Sequence, residues 1–196
     1  MTSCFICKKG LPPSCKDYHS FFCCGKSVHT HCINKFDSSN PNPFVGSCAL
    51  CKKKIPSSEK EIVKKLRHWV KKGRSFARCE MGDRYYDGNG VKQSYEKARA
   101  LYELAVEQNE ASAMFNLGHM FKCGQAPQSD KRAHELYERA AQLGHRSAQF
   151  NMGVAYDEGQ GVKQSYARAK ELYELAMQQG HAKVSFHTPS YNDEWN

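Results

Sequence analysis

Gly90-Val91-Lys92-Gln93-Ser94-Tyr95 returns unchanged as Gly161-Val162-Lys163-Gln164-Ser165-Tyr166, and the residues around the two stretches recur with it. Gly82, Gly118 and Gly153 follow Met81, Leu117 and Met152, and Tyr85, Phe121 and Tyr156 stand three residues further on. Then come Gly88, Gly124 and Gly159, followed by Ala98, Ala133 and Ala169. Tyr102, Tyr137 and Tyr173 and then Ala105, Ala140 and Ala176 complete the series. The step is 35 to 36 residues, and the middle copy is degraded and one residue shorter in its loop. A period of this size predicts stacked helical hairpins, each with a first helix, a glycine-marked loop and a second helix. One hairpin cannot bury its own apolar face, so three must stack. The recurring tyrosines are expected between the helices, as core. Gly88 and Gly90 match a GxG pattern, but no strand precedes them, so they predict a turn and not a nucleotide site.

The repeats are flanked by two further signals. On the N-terminal side, Ser58-Glu59-Lys60-Glu61 is a capping-box pattern. Ile62, Val63, Leu66, Trp69 and Val70 then define one helical face, and Gly73 is placed as a stop. Lys64, Lys65, Arg67, Lys71 and Lys72 fall off that face. A helix with so full an apolar face needs a neighbour. It is expected to stack where a preceding second helix would stand and to cap the array. On the C-terminal side, Gly180 to Phe186 begins a fourth copy that Thr188-Pro189 stops. The third copy is then covered only by residues 190–196 or by a partner chain. Exposed apolar surface, self-association or a truncated product is the expectation there.

The first fifty residues have a different composition. Eight of the ten cysteines lie in them or just beyond: Cys4, Cys7, Cys15, Cys23, Cys24, Cys32, Cys48 and Cys51. Residues 1–75 carry 15 Lys+Arg against 4 Asp+Glu, whereas residues 76–196 carry 14 against 16. The head is therefore basic (+11) and the tail near neutral (−2), which sums to the net +9. The start lacks the layout of a secretory signal, and no run of 18 apolar residues exists, which predicts a soluble intracellular chain, cytoplasmic or nuclear. In a reducing compartment, clustered CxxC pairs point to metal and not to disulfides. Cys4-x2-Cys7 and Cys48-x2-Cys51 frame a central block with Cys23, Cys24, His29, His31 and Cys32. Zinc takes four nitrogen or sulfur ligands arranged tetrahedrally. Eight donors at these spacings predict two closed zinc sites, and the head is expected to be unfolded without metal. His29 is preferred over His31 for its two-residue gap to Cys32, and Cys15 could replace Cys23. Cys79 and Cys123 are expected as small core or loop residues. No paired carboxylates, nucleophile–histidine arrangement or P-loop stands out.

Cys4-x2-Cys7, Cys24-Gly-x3-His29-x2-Cys32 and Cys48-x2-Cys51-Lys52 resemble a RING-type zinc finger over roughly residues 4–54. The resemblance implies interleaved sites, with Cys4, Cys7, His29 and Cys32 on one zinc ion and Cys23, Cys24, Cys48 and Cys51 on the other. Lys26 stands where the family carries a ligating histidine, and Cys23 is the replacement. Ala49 and Phe36 stand where the family carries proline and tryptophan. The resemblance further implies docking of a ubiquitin-conjugating enzyme, through Ile6 of the first knuckle, with Phe36 beside it and Lys52 steadying ubiquitin. Over residues 75–181 the landmark series resembles the Sel-1-like repeat, a relative of tetratricopeptide repeats. That family implies a scaffold that binds proteins in a concave groove.

The expected architecture is a small zinc-stabilised cross-braced finger (1–55) and a capping helix (56–74), followed by an all-α helical-hairpin solenoid. The hairpins are 75–110, 111–145 and 146–181, and residues 182–196 form a degenerate tail. The expected function is an adaptor whose repeats bind a protein and whose finger, on two zinc ions, recruits a ubiquitin-conjugating enzyme. Any enzymatic activity would be that of a RING-type ubiquitin-protein ligase. A non-enzymatic zinc-dependent scaffold is the alternative, and a basic nucleic-acid binder is the third. No membrane partner is expected.

Overall fold

The structure is a computed structural model, and it describes residues 58–179 together with the backbone of residues 18–20 and 27–29. In the N-terminal part, β1 (Tyr18–Ser20) pairs antiparallel with β2 (Ser27–His29), with Tyr18 opposite His29 and Ser20 opposite Ser27.

Among the described residues seven helices follow: α1 (Glu59–Lys71), α2 (Ser75–Asp87), α3 (Tyr95–Val106), α4 (Ala111–Lys122), α5 (Asp130–Gln142), α6 (Arg146–Glu158) and α7 (Tyr166–Gln178). Each packs against its neighbours in the chain, so α2–α3, α4–α5 and α6–α7 are three successive hairpins. The solenoid expected from the period is thus present.

The recurring serine explains where every second helix starts. Ser58, Ser94, Ser129 and Ser165 each accept the backbone N–H three residues on through the side-chain oxygen, capping α1, α3, α5 and α7. In the three hairpins the serine's own N–H donates back to the carbonyl of Tyr85, Phe121 or Tyr156. Gln93 and Gln164 each donate to the carbonyl of residue 86 or 157 and to the hydroxyl of Tyr95 or Tyr166. The recurring hexapeptide is therefore a joint: its glutamine, serine and tyrosine fasten the end of one helix to the start of the next. In the short middle copy Ala126 stands two residues after the turn glycine, buried, where the other copies have Gly90 and Gly161.

The joints between hairpins also recur. Gly73, Asn109 and Gly144 adopt positive φ of 70°, 56° and 82°. At each, the residue's N–H bonds back to the carbonyl three before it, and the next residue's N–H bonds five back. This is the Schellman ending, which uses up carbonyls that a helix terminus leaves open.

Within each hairpin a glycine of the first helix lies under the tyrosine ring of the second. A methyl group on Gly82, Gly118 or Gly153 would come within 2.5, 2.9 or 2.6 Å of the Tyr102, Tyr137 or Tyr173 ring. Gly82→Ala tests this contact. In an exposed helix interior the change would stabilise by up to about 1 kcal/mol. Here overpacking against a ring held on all sides reverses the sign, and a net loss of about 1–3 kcal/mol is expected in urea unfolding. A neutral or stabilising result would show that the hairpin has slack.

α1 stands where the second helix of a preceding hairpin would stand. Val63 and Leu66 are buried with Phe76, Ala77 and Met81, and Ile62, Trp69 and Val70 pack around them. Leu66 stands where Tyr102 and Tyr137 stand, counted back from the joint residue. The loop at Gly90 abuts Glu59 and Val63 of α1, just as the loop at Gly161 abuts His134 of α5. Arg84 of α2 closes the contact by an ion pair with Glu59. The lysines expected off the apolar face are half-buried at Lys65 and exposed at positions 64, 71 and 72.

Candidate functional site

Only neighbouring helices pack closely, so α2 and α4, the first helices of two successive hairpins, leave a groove between them. Asp83, Tyr86 and Asp87 lie at i, i+3 and i+4 of α2 and so share one face. Phe115, Asn116 and His119 of α4 oppose them, and Tyr102 of α3 forms the floor. Together these seven residues enclose a cavity of about 350 Å³. That falls in the lower part of the range for ligand clefts, about 300–1,000 Å³.

The floor is rigid. One oxygen of Asp83, Oδ1, accepts both the Tyr102 hydroxyl at 2.6 Å and the Asn116 side-chain N–H at 2.7 Å. The carboxylate is thereby fixed to its own hairpin and to the next. Phe115 is held from behind: its ring stacks on His145 at 4.7 Å and tilts against Tyr137 at 5.5 Å. His145 is buried and caps α6, its Nδ1 accepting the N–H of Ala148 at 3.2 Å. That bond places the ring proton of neutral His145 on Nε2.

The electrostatics of the groove are negative. Burial, and then the charge of Asp83, push the Glu80 carboxyl up to about 7. Arg84 stands 3.5 Å from Glu80, but it is also engaged by Glu59, and the upward effects prevail. Burial and then Asp83 push the Tyr102 hydroxyl far up, so it stays protonated as a donor. The Tyr137 hydroxyl is also raised, mainly by burial, and that of Tyr173 rises to about 12 through burial and then Asp157. Tyr86 is raised by burial, then by Cys123, Tyr95 and Asp87.

At the open end, the Tyr86 hydroxyl lies 3.5 Å from His119 Nδ1, and Cys123 Sγ lies 3.4 Å from His119 Nε2. The helical i, i+4 spacing brings this histidine and thiol together, a pairing that does not stand out in the sequence. Cys79, by contrast, is buried core, and Cys123 is exposed at the end of α4.

The groove does not test the residues expected to hold zinc. Cys4, Cys7, Cys23, Cys24, Cys32, Cys48 and Cys51 lie outside the described residues, as do Ile6, Phe36 and Lys52. His29 is described in its backbone alone, at the end of β2. Among the described residues no group of three or more His, Cys, Asp or Glu side chains converges as a metal site. Nor is any described helix long and apolar enough to cross a membrane. Of the repeated tyrosines, Tyr102, Tyr137 and Tyr173 are buried core, as expected, whereas Tyr95 and Tyr166 are exposed. Tyr166, Leu175 and Met177 of α7 are exposed, but so are Tyr95 and Leu104 at the matching positions of α3. Exposure at the first two positions thus belongs to the second helix of a hairpin and not to the last repeat as such.

Asp83, Asp87, Asn116 and His119 carry no motif that marks them in the sequence. Their signal lies in the differences between copies. One residue after the central glycine the copies carry Asp83, His119 and Val154, and five after it Asp87, Cys123 and Glu158.

The chain matches the Sel1 repeat model over residues 75–110, 111–145 and 146–181. It is 39% identical over 77 residues to protein sel-1 homolog 2 of Rattus norvegicus, a match that spans 37% of this chain and 11% of the rat protein. It is 42% identical over 53 residues to the ERAD-associated E3 ubiquitin-protein ligase component HRD3A of Arabidopsis thaliana, spanning 27% of this chain and 8% of the plant protein. The chain therefore spans about a tenth of the length of these curated relatives. Among solved structures it is similar to a Sel1 repeat protein from Oxalobacter formigenes, with a TM-score of 0.59, 27% identity, and coverage of 64% of this chain and 52% of that one. It is also similar to c5321, a protective antigen of uropathogenic Escherichia coli with an SLR fold, with a TM-score of 0.59, 30% identity, and coverage of 66% and 27%. Three copies of the repeat, covering more than half of the residues and folding as three stacked hairpins, make this chain a member of the Sel1 repeat family.

Proposed function

We propose that the chain is a protein-interaction adaptor. Its repeats hold a partner protein in the groove between α2 and α4, and residues 1–55 form a RING-like finger that recruits a ubiquitin-conjugating enzyme. The observation that carries the first half is the cavity of about 350 Å³, with its fixed carboxylate and braced aromatic ring on a rigid scaffold. The second half rests on the donor set: seven thiols and an imidazole, at Cys4, Cys7, Cys23, Cys24, His29, Cys32, Cys48 and Cys51, suit two tetrahedral zinc ions. Closed sites of this kind shape a fold and offer no open position for chemistry. The name of the Arabidopsis relative, a component of a ubiquitin ligase, favours the same reading. Lys26, Ala49 and Phe36, which depart from the RING pattern, favour the second reading, a zinc-dependent scaffold without ligase activity.

Native mass spectrometry of the full chain, followed by autoubiquitination with a panel of conjugating enzymes, separates these readings. Two zinc ions per chain and a ubiquitin ladder that Ile6→Ala abolishes are expected. Two zinc ions without a ladder would leave the scaffold, and no zinc would remove the finger.

A further inference from the structure

We propose that the groove between α2 and α4 receives a lysine or arginine side chain of the partner protein, seated between the carboxylates of Asp83 and Asp87 and the rings of Tyr86 and Phe115. The inference rests on the adaptor reading above and gives it a ligand chemistry.

The two carboxylates of the groove do not recur as a pair in the other copies, although Asp83 also serves the fold as the acceptor of the Tyr102 hydroxyl. Asp83 and Asp87 are not repeat landmarks; the second copy packs the same way with His119 and Cys123 there, and the third begins the pair with Val154. Asp87 is also the last residue of α2, where the helix dipole already presents negative charge and favours a cation. A carboxylate there works against helix stability, and the same end of the helix adds to the attraction for a positive ligand. Among the described residues lining the cavity two are aspartates and none is lysine or arginine.

The geometry suits a long cationic side chain. Asp83 is already clamped by two donors, so its carboxylate is held in place before a ligand arrives. A cation is attracted to aromatic rings within about 6 Å, and Tyr86 and Phe115 line the cavity from α2 and α4. A metal ion fits less well, since no three metal-binding side chains converge among the described residues.

The test is selection of random decapeptides displayed against the full chain, followed by binding of the selected peptides by fluorescence anisotropy. We expect one position to be dominated by lysine or arginine. Replacing an arginine there with neutral citrulline should weaken binding at least tenfold, and the Asp83→Asn/Asp87→Asn variant should no longer distinguish the two peptides. The Asp83→Asn change keeps a side-chain oxygen for Tyr102 and Asn116, and circular dichroism checks that the variant folds; exposed Asp87→Asn alone is the fallback. Peptides that lose affinity with Tyr86→Ala yet carry no basic position would overturn the inference and leave the groove reading standing. Peptides indifferent to both Tyr86→Ala and the aspartate changes would overturn the groove reading as well. A dimer that the aspartate variant dissociates would put a second copy of the chain in the groove and overturn the proposal.

Discussion

Tyr102→Ala is expected to lower the unfolding free energy by about 3–5 kcal/mol, the range for removing a buried aromatic side chain. Tyr102 is 1% exposed and sits over Gly82, which has no side chain to move into the space. The cavity left behind would therefore stay open, and this puts the loss high in the range. The hydroxyl adds a separate contribution. It donates to Asp83 at 2.6 Å, and a hydrogen bond to a charged group is worth about 1.5–3 kcal/mol. Tyr102→Phe isolates that part, since it keeps the ring over the glycine and removes one donor from the carboxylate. Urea unfolding followed by circular dichroism measures both. A Tyr102→Ala protein within about 1 kcal/mol of the parent would mean that the glycine–tyrosine contact is not what closes the hairpin.

Leu66→Ala carries the second large effect, about 2–5 kcal/mol, and it should be local. Leu66 is fully buried, and it anchors α1 to Phe76, Ala77 and Met81 in a core separate from the one that runs through the later hairpins. Repeat arrays are stabilised mainly between nearest neighbours. Hydrogen exchange should then show lost protection in α1 and weakened protection in α2, with α5 to α7 unchanged. Equal loss of protection along the whole array would show that the hairpins unfold as one unit.

The hairpins could be read from sequence because their signals are local and repeated. Ser94, Ser129 and Ser165 fix helix starts, Gly88 and Gly159 fix helix ends, and the alanine–tyrosine spacing fixes the buried face. The spacing put the tyrosines between the helices, and the structure adds that each ring lies over Gly82, Gly118 or Gly153. The groove was less legible. Asp83 and Asn116 are 33 residues apart, and their meeting depends on how two hairpins are set against each other. No periodic pattern encodes that distance, and these residues differ between copies, so a search for what repeats passes over them. The His119–Cys123 contact is local, yet in sequence it is only an i, i+4 pair among many.

The three endings at Gly73, Asn109 and Gly144 share one hydrogen-bond pattern, although one is asparagine and two are glycine. The first two hairpins therefore begin and finish with the same connector, and the third begins with it. A unit cut at these points could be duplicated, deleted or exchanged without redesigning its ends, provided that the faces it brings together still fit. Every added unit would create one more furrow beside its predecessor, furnished by the few positions that the scaffold leaves unconstrained. Growth of such an array by gene duplication would thus multiply recognition surfaces at little structural cost, and selection could then diversify them one at a time.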